Sequence, residues 1–234
     1  MNKPLRVIGL LGGMSFEASA LYYRLINEAI RQRLGGLYSA DIILRSVNFD
    51  IIARMQTEGR WDDAGQYLAD AAIGLERAGA QCILLCTNTM HLVANAIDNA
   101  TQAPLIHIID ETARVLRDAQ CRRPLLVATR YTMEQGFYQA RMARHDIDVM
   151  VPDEAGRAAT HAIIFDELCQ GKILDPSRDH LTGLIETAKA QGADSVILGC
   201  TEIGLILDPA ALPLPGFDST VIHAQAAVDF AMSA

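Results

Sequence analysis

The chain has 234 residues, half of them hydrophobic, and a formal net charge of −8. That length supports one large domain or two small ones with their own cores, and that hydrophobic content leaves no room for a disordered chain. The acidic balance argues against a nucleic-acid groove or an anionic membrane surface, both of which need clustered Lys and Arg, and favours a small-molecule partner.

The chain opens on VIGLLGGMS, residues 7–15, a short apolar run that ends in a Gly-Gly turn. It shows no signal-peptide cleavage pattern, and no apolar run in the sequence approaches the roughly 20 residues needed to span a bilayer, so a cytoplasmic protein is expected. The segment is not G-x-G-x-x-G and has no companion nucleotide signature. It predicts a tight strand-to-helix turn with Ser15 as N-cap, whose exposed amides could also seat a carboxylate. A helix follows over 16–34, ended by Gly35-Gly36, and a second over 61–78, ended by Gly79.

Strand-like runs at 5–11, 40–47, 81–87, 104–109, 124–129, 146–151 and 194–201 alternate with helical patterns. This βαβα order predicts an α/β fold with mainly parallel sheets covered by helices, and ligands bound beyond the carboxyl ends of the strands.

Residues 75–88 (LERAGAQCILLCTN) and 188–201 (AKAQGADSVILGCT) repeat a helix end, a Gly-Ala turn and a buried strand. With Gly79-Ala80 set on Gly192-Ala193, Cys86 matches Gly199, and Thr87 matches Cys200. Neighbouring side chains on a strand point to opposite faces, so if Cys200 reaches the functional edge then Thr87 does so in the other half and Cys86 turns inward. Two such halves suit a reaction that removes a proton from one face of a carbon and returns one to the other.

The five cysteines, Cys82, Cys86, Cys121, Cys169 and Cys200, are an odd number with scattered spacing and read as thiols rather than a disulfide framework. Four read as small core residues. Cys200 differs because Thr201-Glu202 follow at once, where the strand must leave the core. A thiol at such a strand end is expected to have its pKa lowered by nearby helix N-termini, and any carbanion it forms to be held by preorganised donors. Pyridoxal phosphate needs a lysine, and the lysines available, Lys3, Lys172 and Lys189, are poorly placed. The scattered histidines and the strand-borne Cys82-x3-Cys86 give no metal cluster, and His107 and His223 read as fold residues.

VIGLLGGMS, CTNTMH at 86–91, TRYTMEQGFY at 129–138 and GCTEIGL at 199–205 together resemble the aspartate/glutamate racemase family, in particular its broad-specificity branch with CTNTMH. The resemblance spans essentially the whole chain. It implies two pseudo-symmetric α/β domains, 1–100 plus 215–234 and 101–214, with the active site in the cleft between them and the C-terminal helix near 219–232 rejoining the first. It also implies a cofactor-independent amino-acid racemase, commonly a homodimer.

Family members carry a cysteine in each half. Here Cys200 occupies the second position and Thr87 the first. By the resemblance Cys200 and Thr87 are the catalytic pair, with Cys200 acting on the L-enantiomer and only weak activity on the D-enantiomer. Asn88, Thr89, Thr129 and Thr201 are expected to bind the α-amino and α-carboxylate groups, helped by the loop amides around Met14 and Ser15. Glu202, an expected substrate contact by the same resemblance, stands where glutamate racemases have histidine and favours the aspartate-type branch. Arg45, Arg54 and Arg130 are candidates for a side-chain carboxylate. Open alternatives are a hydantoin-racemase or maleate-isomerase activity on a similar scaffold, and a catalytically silent amino-acid-binding protein.

Overall fold

The computed structural model describes residues 4–233; Lys3 lies outside the described residues. The chain divides into two compact units, one of residues 1–108 with 223–234 and one of residues 109–222.

The first unit runs β1 (Ile8–Gly12), α1 (Phe16–Leu34), β2 (Ile42–Ser46), α2 (Phe49–Thr57), α3 (Trp61–Arg77), β3 (Cys82–Leu85), a 3₁₀ turn (Thr89–Val93), α4 (Ala94–Ala100) and β4 (Leu105–Ile106). The four strands form one parallel sheet in the order β2-β1-β3-β4. Alternation along β3 feeds two cores. Ile83 and Leu85 pack with α2 and α3 residues such as Ile52, Leu68 and Ala72. Cys82, Leu84 and Cys86 pack on the other face with Tyr22, Ile26 and Val228.

The second unit comprises α5 (Ile108–Asp118), β5 (Pro124–Val127), α6 (Arg130–Glu134), α7 (Phe137–Ala143), α8 (Glu154–Ala162), α9 (Asp175–Ala190), β6 (Ser195–Leu198) and β7 (Gly216–Asp218), and α10 (Ser219–Met232) follows. Its strands are parallel in the order β5-β6-β7. Leu125, Val127, Val196, Leu198 and Cys200 share a core with Leu181 and Ile185 of α9. From His223 on, α10 groups with the first unit. There the Tyr22 hydroxyl lies 2.8 Å from His223 Nδ1, Arg6 N–H donates to Ala231 O at 3.0 Å, and Arg33 pairs with Asp229 at 2.7 Å.

Local signals explain most boundaries. The Ser15 hydroxyl accepts from Ala18 N–H at 3.1 Å and starts α1, and Gly35, at φ 75°, ends it. Ser15→Ala is therefore expected to cost about 1 kcal/mol of stability, read as a lower urea midpoint at constant m-value. The run at 146–151 is not a strand of its own; it contributes a single bridge from Met150 to Leu125, since Asp146 takes φ 60° and breaks its start. The last strand, β7, falls in a Pro-rich stretch with no alternating pattern. Cys169 is exposed rather than core, because a π-helical turn over Ile163–Glu167 and a 3₁₀ turn over Leu168–Gln170 bury Leu168 in its place. Among the described residues no helix is long and apolar enough to cross a membrane.

Candidate active site

The repeated segments have the same backbone construction. Gly79 and Gly192 both take positive φ, 106° and 93°, just past a helix. Ala80 N–H donates to Leu75 O at 3.0 Å, and Ala193 N–H to Ala188 O at 2.9 Å. Adding 113 to the bounds of β3, residues 82 and 85, gives 195 and 198, the bounds of β6. Cys86 N–H then donates to Leu11 O at 2.9 Å, and Gly199 N–H to Val127 O at 2.8 Å, each closing the ladder to the neighbouring strand. Thr87 and Cys200 follow as the next residue in each unit.

Cys86 and Gly199 thus occupy one position. A Cβ on Gly199 would lie 2.7 Å from Leu126 Cδ1, so the second unit has no space for a counterpart of the Cys86 side chain. Cys86 is fully buried, its Sγ is 3.7 Å from Leu84 O, and burial pushes its thiol far above the ordinary range. Cys82, at the other end of β3, is pushed up to about 12 for the same reason. Neither of these side chains reaches solvent.

Cys200 is 8% exposed, at the edge of the core formed by Val196 and Leu198. Its Sγ–H donates to Glu202 Oε2 at 3.0 Å, and the Thr201 hydroxyl donates to the same oxygen at 2.6 Å. The thiol pKa is raised well above its ordinary value, first by burial and then by the Glu202 carboxylate as both charge and hydrogen-bond acceptor. The lowering expected from helix N-termini is outweighed by burial and then by the adjacent carboxylate. Chemically, the arrangement is a thiol joined to its own proton acceptor.

In the first unit Thr87 is half-buried. Its N–H donates to Leu85 O at 2.8 Å, and its carbonyl lies 2.7 Å from His91 Nδ1. Asn88 and Thr89 are buried beside it, at the start of the 3₁₀ turn. At the β1–α1 turn, Gly13 N–H donates to Ser19 Oγ at 2.8 Å and Ala18 N–H to Ser15 Oγ, so those two amides are committed within the protein. The Met14 side chain is buried in the α2–α3 core, leaving only its backbone for a ligand.

The family model for Asp/Glu/Hydantoin racemases matches residues 11–227. The chain belongs to this racemase family. It is 46% identical to a Yersinia pestis protein described as a candidate Asp/Glu racemase, over 98% of this chain and 100% of that one, with a TM-score of 0.93. An aspartate racemase homologue from Pyrococcus horikoshii, PH1733, is 30% identical over 98% and 100% of the two chains, with a TM-score of 0.87. The broad specificity amino-acid racemase RacX of Bacillus subtilis is 26% identical over 71% of this chain and 72% of its own.

On this racemase scaffold the sequence-predicted cations are dispersed. Arg45 lines an edge groove of about 510 Å³ with Ile43, Tyr67, Asp70 and Gly74, on the α3 side of the sheet. Arg54 is exposed and paired with Asp50 at 2.8 Å, one turn earlier on α2. Arg130 sits at the start of α6, half-exposed, 4.0 Å from Glu134. The Thr129 hydroxyl caps α6, accepting from Thr132 N–H at 3.4 Å.

Among the described residues no group of three or more His, Cys, Asp or Glu side chains is arranged to hold a metal. Lys172 lies in an exposed loop and Lys189 on the exposed face of α9. His223 is buried between Tyr22 and Ile106 O, and burial lowers its pKa to about 4, so it is a neutral structural residue at physiological pH. Sequence reasoning passed over two groups. Glu202, expected from sequence as a substrate contact, is also the partner of the Cys200 thiol, for which its two-residue spacing is a usable signal; His91, four residues after Thr87, carries no such mark.

Proposed function

We propose that this protein is a cofactor-independent amino-acid racemase, acting on aspartate, glutamate or related amino acids, with Cys200 and Thr87 addressing opposite faces of the α-carbon. The observation that carries the reading is the matched backbone position of Thr87 and Cys200 at the ends of β3 and β6.

In the forward direction the Cys200 Sγ–H bond breaks and its proton passes to Glu202, giving a thiolate and a carboxylic acid. The thiolate takes the α-proton of the L-amino acid, and the C–H electron pair stays on carbon as a carbanion. The Thr87 O–H then protonates the opposite face, the Glu202 carboxylic acid releases its proton to solvent, and solvent returns one to Thr87. One C–H bond is broken and one formed, with no redox change. Asn88, Thr89 and Thr201 are assigned to the α-amino and α-carboxylate groups. A threonine hydroxyl is a far weaker acid than a thiol, so abstraction from the D-enantiomer is the slow direction.

The RacX and PH1733 relatives support an amino-acid substrate. Five free thiols fit a reducing compartment such as the cytoplasm. The family resemblance adds a homodimer to this reading.

The test is incubation with a panel of L- and D-amino acids in deuterated water, following α-deuteration and chirality. Deuteration of L-substrate faster than D-substrate is expected, and Thr87→Cys should bring the two rates closer together. Equal rates in the wild type would remove the asymmetry. Absence of deuteration in every substrate would leave a binding protein that kept the site without the second thiol.

A further inference from the structure

The side chain that holds Thr87 has no counterpart in the other unit. His91 is buried, and both of its ring nitrogens are engaged by backbone groups. Ile108 N–H can only donate, and it does so to Nε2 at 3.3 Å. The ring proton therefore sits on Nδ1, from which it donates to the Thr87 carbonyl at 2.7 Å. The ring is further fixed by edge contacts with His107 and His223, at centroid distances of 4.5 and 5.8 Å. With Thr87 N–H bonded to Leu85 O, the peptide groups on both sides of the Thr87 Cα are tied down. A β-branched side chain on a fixed backbone has few directions in which to point its hydroxyl.

Applying the same 113-residue offset to His91 gives Gly204, which has no side chain. The Cys200 carbonyl accepts from a backbone group, Ile203 N–H, at 3.2 Å. The histidine brace therefore accompanies the hydroxyl and not the thiol.

We infer that His91 is a positioning residue for the Thr87 face of the reaction, holding the Thr87 carbonyl so that the hydroxyl is aimed at the α-carbon. The inference rests on the two-base reading above. A small, weakly acidic hydroxyl tolerates little misplacement, since errors of about 1 Å cost on the order of 10²-fold in rate.

The test uses the full-length protein in deuterated water with L-glutamate and L-aspartate, and reads two rates in each sample. One is wash-in of deuterium at the α-carbon of L-substrate that stays L, a Cys200-face event; the other is conversion to the D-enantiomer, which needs the Thr87 face. In His91→Leu, conversion should fall about 10²-fold while wash-in stays within about twofold of wild type. In His91→Asn, whose amide can still donate to the Thr87 carbonyl, most of the conversion should return. An equal loss of both rates in His91→Leu, or His91→Asn failing as His91→Leu does, would overturn the inference.

Thr87→Ala separates this outcome from failure of the two-base reading. If Thr87→Ala leaves conversion intact, Thr87 is not the second base and both ideas fall. If it abolishes conversion, the two-base reading stands and the His91 variants alone decide.

Discussion

Cys200→Ala is expected to lower α-proton exchange of L-amino acids by about 10⁴-fold or more, the scale seen when a central catalytic group is removed. Cys86→Ala should retain most of the activity. The contrast follows from the two environments. Cys200 stands at the edge of its core with a carboxylate oxygen 3.0 Å from its sulfur. Cys86 is sealed among Tyr22, Leu84 and Val228, and its loss should appear as reduced stability of about 1–2 kcal/mol from the cavity left behind. Exchange rates measured by NMR alongside urea denaturation separate the two. Cys86→Ala abolishing exchange while Cys200→Ala left it intact would reverse the assignment.

Glu202→Gln is expected to change both the size and the pH dependence of the same rate. Burial and the Glu202 carboxylate both raise the Cys200 pKa, so the wild-type rate should climb with pH as the thiol ionises. Replacing the carboxylate with an amide removes its repulsion of the thiolate and its hold on the thiol proton, so this rising limb should move to lower pH. The same change removes the built-in proton acceptor, so below the limb, where the thiol is still protonated, the rate should fall about 10²-fold, the lower end for losing a general base. If Glu202 instead contacts only substrate, KM rises with kcat and its pH profile unchanged. A full profile of kcat for the two proteins distinguishes these results.

The parts of this architecture that could be read from sequence are those written in local chemistry. Ser15 and Gly35 bracket α1, and the Gly-Ala turns at 79 and 192 fix the register that aligns Thr87 with Cys200 in the repeat. What could not be read depends on groups that meet only after folding. Thr201-Glu202 looks like an exit from the strand, and nothing local states that the carboxylate turns back onto the sulfur. His91 finds Ile108 across 17 residues of chain, and His223 finds Ile106 O across 117. Thr129, which its motif assigns to substrate, also has a local structural task that the motif does not state, its hydroxyl capping α6. The strand β7 was hidden because a short, half-buried segment after prolines has no alternation to detect.

The course of α10 has a consequence for how the chain is made. Residues 109–222 form an unbroken stretch, so the second unit has all of its sequence once Ile222 has left the ribosome. The first unit has most of its sequence much sooner but lacks His223, Ala227 and Val228, which fill the core against Tyr22 and Ile26. Domains fold as units during synthesis, and here the half that is translated first must wait for the last dozen residues before its sheet is covered on that side. A chain truncated just before His223 would carry the whole second unit and a first unit with Ile8, Leu10 and Leu84 lacking their cover from α10, a natural target for chaperones.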